Sequence, residues 1–253
     1  DMLYLCGWED PDAVFCAFNE DGMWKTTLFV QPKDVLKEIW EGRRPGVEGA
    51  VANWPVDSAT SHEQLDDRLS SMLVECSRVF VKMGVDSDVD ELVEKEMKSN
   101  SRERQKFGMG PVSIVDPSAM INELRLRKSD AEIDLMRHSA KIAAQAHIQA
   151  MANTKPGVGE WQLEGIIEGL FKYCKTSGIA YPCIIGSGEN ATILHYTVND
   201  DTCDDGEVIL IDAGCEYKGY ASDITRSWPV NGKFSEAQAE IYQLVLDSQI
   251  AAI

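Results

Sequence analysis

Two aspartates, Asp212 and Asp223, belong to neighbouring strand-like segments joined by a polar stretch that contains glycine. This pattern predicts a β-hairpin. If the turn is centred between Tyr217 and Lys218, the aspartates lie directly opposite each other, with Cβ atoms roughly 5 Å apart. Like charges placed this way destabilise a sheet, but oxygen ligands at about 2.0 to 2.2 Å from a shared divalent ion fit the separation. The hairpin therefore predicts part of a metal site.

The alternative is a pair of solvent-facing aspartates on a hairpin with a long loop. Asp212 follows the apolar residues 208–211, so we expect it to end a buried strand, where an unpaired carboxylate is costly. Aspartate is also a poor strand former. Both points favour metal binding.

His195 is the candidate for proton transfer near this hairpin. It falls in residues 192–197, which read as a strand after a glycine-rich turn. A strand histidine is more often a packed or surface residue, but beside a metal-binding hairpin it could hydrogen-bond substrate or shuttle a proton. No G-x-S-x-G nucleophile elbow is present.

Composition excludes several classes of function. The 253 residues are 44% hydrophobic and 26% charged, and the formal net charge is −18. This charge argues against nucleic-acid binding and against an anionic membrane surface. No apolar run approaches the length of a membrane span. Seven cysteines without a C-x-x-C pair favour reduced thiols, so we expect a cytoplasmic protein.

The elements that must position these residues form two parts. Residues 1–118 alternate strands and helices, and residues 119–253 predict helices followed by antiparallel strands, so we expect a mixed α+β chain with two domains at those limits. In the first part we expect an interior strand at 1–6, a hairpin of 13–18 with 26–30, helices at 33–40 and 61–73, a strand at 78–82 and an exposed helix at 86–107. In the second we expect helices at 129–152 (entered by an S-x-x-E capping box), from 160 and at 235–253, with strands at 184–185 and 192–197.

The chain resembles aminopeptidase P, the Xaa-Pro aminopeptidase branch of the pita-bread metallopeptidases, along nearly its whole length. Five segments carry the resemblance in order: YLCGWEDP (4–11), LFVQPKD with EIWEGRR (28–34 and 38–44), LRLRKSDAEI (124–133), IGSGEN through LHY (185–196) and the hairpin of Asp212. The resemblance implies an amino-terminal α/β domain of the creatinase/aminopeptidase P type at 1–118, followed by the first half of a pita-bread catalytic domain.

The resemblance also implies an activity and a site. Asp212 would bind one metal of a dinuclear centre, Asp223 would bridge both metals, and His195 would lie near the scissile carbonyl. The cofactors would be two divalent ions, manganese in this branch, with zinc or cobalt as alternatives. They would activate a bridging water to release an N-terminal residue that precedes proline. The partners would be peptides with proline at the second position and further copies of the chain, as a homodimer or homotetramer.

The sequence departs from the family beyond Asp223. The family uses a further histidine and two glutamates as ligands, whereas the only such residues after Asp223 here are Glu236 and Glu240, in a segment that reads as a helix. We therefore expect a fragment that is inactive alone and exposes apolar surface. Prolidase and a non-catalytic pita-bread protein that binds peptides or proteins remain alternatives, as does a mitochondrial location if a presequence precedes Asp1.

Overall fold

The hairpin expected around residues 19–22 is present in the computed structural model, which describes residues 1–253 apart from the side chain of Glu103. Strand β1 (Val14–Glu20) pairs antiparallel with β2 (Met23–Val30). Asp21 and Gly22 both have positive φ, +52° and +84°. Two such residues in a two-residue loop match the right-handed twist of the flanking strands, which explains why this turn is formed locally.

The chain divides into two compact units, residues 1–127 and residues 128–253. The boundary expected after residue 118 falls at the start of the last helix of the first unit. The remaining elements of the first unit are α1 (Met2–Cys6), α2 (Val35–Glu41), α3 (Gly46–Asn53), β3 (Ser58–Ser61), α4 (Leu65–Glu75), β4 (Arg78–Phe80), α5 (Ser87–Ser99), α6 (Ser101–Phe107), β5 (Ser113–Val115) and α7 (Ser118–Leu126).

The first unit is built around β2, the central strand of a three-stranded sheet. It pairs with β1 on one side and, in parallel, with β3 on the other, while β4 and β5 form a separate parallel pair. Leu28 and Val30 pack with Ala50 and Trp8 into one cluster, whereas Phe29 packs with Leu65 and Leu92 into another. Because side chains alternate along a strand, the end of β2 at Leu28–Val30 is buried on both faces.

Two expectations for the first unit were wrong. Residues 2–6 of the expected strand form helix α1 instead, and the helix ends at Gly7, whose left-handed conformation caps it. Residues 86–107 form two helices, and α5 is not fully exposed: Leu92 and Val93 are buried. The apolar stripe of α5 is narrow and interrupted by charges, which hid it in the sequence.

The second unit contains α8 (Asp130–Asn153), α9 (Glu160–Tyr173), β6 (Gly178–Ile179), β7 (Ile184–Ser187), β8 (Val208–Ala213), β9 (Cys215–Tyr217), β10 (Tyr220–Ala221), β11 (Ile224–Pro229) and α10 (Glu236–Ala252). Two three-stranded antiparallel sheets run in the orders β10-β9-β6 and β11-β8-β7. Small residues of α8 and large residues of α9 pack into one core with β7, β8 and β9. The predicted α+β class is confirmed. Of the described residues, none forms a helix long and apolar enough to cross a membrane.

The predicted capping box of α8 is confirmed and reaches further than expected. Ser129 Oγ accepts from the Glu132 amide, Glu132 Oε2 accepts from the Ser129 amide at 2.7 Å, and Tyr220 Oη donates to Glu132 Oε1 at 2.6 Å. These donors, with the Tyr220 hydroxyl first, lower the pKa of Glu132 from 4.5 to about 2. The carboxylate thus ties the start of α8 to the hairpin formed by β9 and β10.

We expect Tyr220→Phe to raise the pKa of Glu132 towards 4.5, because the substitution removes the hydroxyl that lowers it most. A carboxyl whose pKa is lowered by folding stabilises the protein above pH 4.5, and that contribution is lost as pH falls towards 2. NMR titration of the Glu132 side chain measures the shift directly. Tyr217→Phe, in the same hairpin, is the matched control and should leave the Glu132 titration unchanged.

Candidate metal centre

The hairpin that carries the two aspartates has a different register from the one expected. Strand β8 pairs with β11 so that Asp212 lies opposite Thr225, not opposite Asp223. Tyr217 lies opposite Tyr220, so the two-residue turn is Lys218-Gly219, with φ of +49° and +82°. Gly219 adopts this conformation without strain, which moves the turn one residue beyond its predicted centre.

The two carboxylates nevertheless lie close together, because both contact one hydroxyl. Asp223 follows β10 and lies two residues before Thr225, diagonal to Asp212. Tyr181 Oη is 2.5 Å from Asp212 Oδ1 and 3.0 Å from Asp223 Oδ1. Asp212 is half-buried and Asp223 is exposed. The expected proximity of the two aspartates is therefore present, through a diagonal arrangement instead of a directly opposed pair.

Tyr181 is the residue of this site that the sequence did not reveal. It follows β6, whose residue Ile179 pairs with Cys215, and the Ala180 amide donates to the Gly214 carbonyl at 2.9 Å. Its backbone is thus held beside the strand of Asp212. Burial raises the pKa of Tyr181 above its usual value, and so do the hydrogen bonds to the two carboxylates. The hydroxyl therefore remains a donor at neutral pH. A tyrosine with this surrounding sequence carries no local signal of the role.

Gly214 allows the two arms of the hairpin to approach closely between the aspartates. A Cβ atom at this position would lie 1.7 Å from the Ser222 carbonyl oxygen and 3.1 Å from a ring carbon of Tyr181. The Ser222 amide donates to the Cys215 carbonyl at 2.9 Å, and the Cys215 amide donates to Ser222 Oγ at 3.1 Å. This close backbone approach brings the start of the Asp223 segment next to the end of β8.

His195 is not in a strand, contrary to expectation. It lies in an exposed turn after a 3-10 helix of residues Gly188–Thr192. The Thr192 hydroxyl donates to the Glu189 carbonyl at 2.7 Å and the Ile193 amide donates to the Asn190 carbonyl at 3.1 Å, so local bonds replace a strand ladder. Within the described part of the chain, no hydrogen bond or ion pair joins His195 to Asp212 or Asp223.

The two aspartates fit one part of a metal site. A hydroxyl carries a single hydrogen, so both carboxylates compete for the one donor that Tyr181 offers. No lysine or arginine among the described residues forms an ion pair with either aspartate; the Arg226 guanidinium donates to the Thr225 carbonyl instead. Two close carboxylates without a cationic partner are a donor set suited to a divalent ion.

The described residues do not complete a metal-binding shell. Outside the side chain of Glu103, no group of three or more histidine, cysteine, aspartate or glutamate side chains is placed to hold a metal ion. Hydrogen bonds bring together Asp212, Asp223 and Tyr181, and the role of His195 stays a prediction.

Comparison with known proteins identifies the second unit. The family model of metallopeptidase family M24 matches residues 134–253, and the model of the aminopeptidase P N-terminal domain matches residues 1–80. The second unit therefore resembles a metallopeptidase family M24 domain, and the first unit resembles the aminopeptidase P N-terminal domain. The predicted resemblance to the aminopeptidase P branch of these pita-bread enzymes is thereby confirmed.

Relatives in this family match nearly the whole chain. The Xaa-Pro aminopeptidase of Escherichia coli (strain K12) is 39% identical over 249 residues, covering 98% of this chain and 56% of the relative. The human Xaa-Pro aminopeptidase 3 is 36% identical, covering 98% of this chain and 49% of the relative. The solved structure of aminopeptidase PepP from Pseudomonas aeruginosa matches with a TM-score of 0.91 at 37% identity, covering 99% of this chain and 57% of that one. The chain therefore spans about half the length of these relatives.

Proposed function

We propose that the protein carrying this chain is a metal-dependent Xaa-Pro aminopeptidase, which releases an N-terminal residue that precedes proline. The observation that carries the proposal is the convergence of Asp212 and Asp223 on the Tyr181 hydroxyl, in a chain that aligns over 98% of its length with an Xaa-Pro aminopeptidase. Two close carboxylates without a cationic partner suit a divalent ion, and the M24 family is a metallopeptidase family.

The residues of the site have distinct proposed roles. Asp212 and Asp223 would hold the divalent ions, which would polarise the scissile carbonyl and lower the pKa of the attacking water. Tyr181 keeps the two carboxylates together through its hydroxyl. His195, exposed in its turn, would donate a hydrogen bond to the substrate near the reacting carbonyl.

The cofactors, partners and location belong to the same proposal. The ions would be two Mn²⁺, with Zn²⁺ or Co²⁺ as alternatives; a zinc-substituted aminopeptidase P of E. coli is among the matching structures. The partners would be peptides with proline second and further copies of the chain in a dimer or tetramer. The location would be cytoplasmic, with the mitochondrion as the alternative, since one relative is the mitochondrial intermediate cleaving peptidase 55 of Arabidopsis thaliana.

The domain assignment is part of the proposal as well. Residues 1–118 would form the amino-terminal creatinase-like domain, and residues 119–253 would form part of the pita-bread catalytic domain. The family matches at residues 1–80 and 134–253 lie inside these limits and support the assignment.

Hydrolysis of short peptides tests the activity. We expect the longest natural polypeptide that contains this chain, loaded with Mn²⁺, to release the first residue of Xaa-Pro-Xaa tripeptides. The same peptides with alanine in place of proline should be cleaved far more slowly. Cleavage of Xaa-Pro dipeptides alone would indicate a prolidase, and metal-free protein that binds peptides without cleaving them would indicate a non-catalytic binding protein. The 253-residue chain, assayed in parallel, should show no hydrolysis.

A further inference from the structure

The most completely buried charged side chain of the second unit is Glu160, and the site described above does not use it. Glu160 is the first residue of α9 and has 0% of its surface exposed. In the described part of the chain, no lysine or arginine forms an ion pair with it. Burying a carboxylate without a cation costs free energy unless several hydrogen-bond donors satisfy its oxygens. The donors to Glu160 therefore indicate which part of the structure it holds.

All four donors to the Glu160 carboxylate come from one segment, residues 187–201. Oε1 accepts from the Ser187 amide at 2.8 Å and from Asn190 Nδ2 at 3.3 Å. Oε2 accepts from Tyr196 Oη at 2.8 Å and from the Asp201 amide at 3.1 Å. Two donors precede His195 in the chain and two follow it. One carboxylate therefore closes the segment into a loop around the histidine.

The backbone of Glu160 holds the far end of the same loop. Its amide donates to the Asp201 carbonyl at 2.9 Å, and Gly159 forms an antiparallel bridge with Thr202. The start of α9 is also the positive end of the helix dipole, which favours a carboxylate there. The start of helix α9 therefore bonds to the loop at its beginning, near its middle and at its end.

Tyr196 connects this network directly to His195. Its ring is buried, whereas the adjoining His195 and Leu194 are exposed. Asn190 Nδ2 also lies 3.1 Å from Tyr196 Oη, so Glu160, Asn190 and Tyr196 contact one another. Burial and the bond to Glu160 raise the pKa of Tyr196 to about 12, which keeps its hydroxyl a donor. The buried ring and its hydrogen-bonded hydroxyl therefore anchor the chain directly after His195.

We propose that Glu160 is a positioning residue that holds the loop of residues 188–201 in the conformation in which His195 is presented to substrate. The proposal rests on the proposed role of His195 in peptide hydrolysis. Glu160 itself touches neither substrate nor metal in this assignment; it acts through Tyr196 and Asn190.

Glu160→Gln and Tyr196→Phe test the proposal, with Glu168→Gln as the control. Glutamine has nearly the size of glutamate, but its side-chain NH₂ group would face one of the donors that now bond to the Glu160 carboxylate. Two donors would then oppose each other. The phenylalanine keeps the buried ring and removes only the hydroxyl bonded to Glu160, so it remains informative if the first variant does not fold. Glu168 is an exposed glutamate two turns along the same helix, so its variant makes the same chemical change without touching the loop.

Two measurements that do not require activity come first. In the 253-residue chain, amide hydrogen exchange at residues 188–201 should accelerate roughly tenfold in both test variants, with exchange in the β8–β11 hairpin unchanged. The NMR signals of the His195 ring should shift in the same variants. Glu168→Gln should alter neither. The proposal would be overturned if amide exchange accelerated uniformly throughout the second unit, or if exchange in the loop did not change.

Kinetics of the natural polypeptide then separate the positioning role from a structural one. A misplaced His195 should lower kcat by about tenfold to hundredfold while KM changes little, since the substrate can still bind. A loosened loop with unchanged kcat would overturn the proposal. If the wild-type protein cleaves no Xaa-Pro peptide, the proposed function is wrong. A loop that both test variants loosen would still show that Glu160 holds the His195 turn in place.

Discussion

Replacing Asp223 by alanine or asparagine is expected to abolish binding of the second divalent ion and to lower overall Mn²⁺ affinity roughly a hundredfold or more. The estimate is a minimum, because loss of even an outer hydrogen-bond partner of a metal ligand costs 10- to 100-fold. Asp223→Asn is the sharper variant: its amide oxygen can still accept from Tyr181, so only the charge is removed. Elemental analysis after gel filtration of the natural polypeptide measures the stoichiometry.

A thermal-shift titration provides a second readout of this variant without reference to catalysis. A ligand that binds only the folded state raises Tm with its concentration, so the variant should need roughly a hundredfold more Mn²⁺ than the wild type for the same rise in Tm. Asp205→Asn is the control, because Asp205 is an exposed aspartate of the same unit that accepts from Asn231. Unchanged metal stoichiometry in Asp223→Ala, which removes both side-chain oxygens, would show that Asp223 is not a metal ligand.

Replacing Gly214 by alanine is expected to destabilise the second unit by about 3 kcal/mol, near the upper end of the usual cost of overpacking. The new Cβ would lie 1.7 Å from the Ser222 carbonyl oxygen, a backbone atom that cannot rotate away. The hairpin arms would have to separate where Asp212 and Asp223 converge, so metal binding should weaken along with stability. Urea unfolding followed by circular dichroism measures the first effect.

Gly165→Ala is the matched control for this prediction, since it makes the same substitution in an exposed position of α9. Apart from its chain neighbours and the nearby backbone of α9, no atom lies within 4 Å of the position that its Cβ would occupy. Alanine should stabilise the helix there by up to about 1 kcal/mol. If Gly214→Ala were as stable as the wild type, the close approach of the hairpin arms would not exist in solution.

The aspartate hairpin shows how far local sequence patterns could predict the site. Alternating and apolar residues on either side of a glycine indicated two paired strands, and both aspartates do converge on one hydroxyl. The register was predicted wrongly, because it depends on which residues adopt positive φ in the turn. Lys218 and Gly219 do so here, and a one-residue shift of the turn changes every pairing partner.

Capping and turn chemistry were determined by the sequence itself. Ser129 and Glu132 satisfy each other's backbone amides within one helical turn, and Asp21-Gly22 closes the first hairpin with two residues. Each of these structures depends on atoms only a few residues apart. Their signals are therefore complete in the local sequence.

The tertiary structure alone decided how the candidate site is held. Tyr181 reaches Asp212 across 31 positions of the chain and Asp223 across 42, and Glu160 reaches Tyr196 across 36. The Glu160–Tyr196 bond anchors the residue next to His195, which lies in a turn where the sequence favoured a strand. Such contacts exist only after packing brings distant segments together, because the partners of a buried polar group are set by what lies beside it in the folded chain.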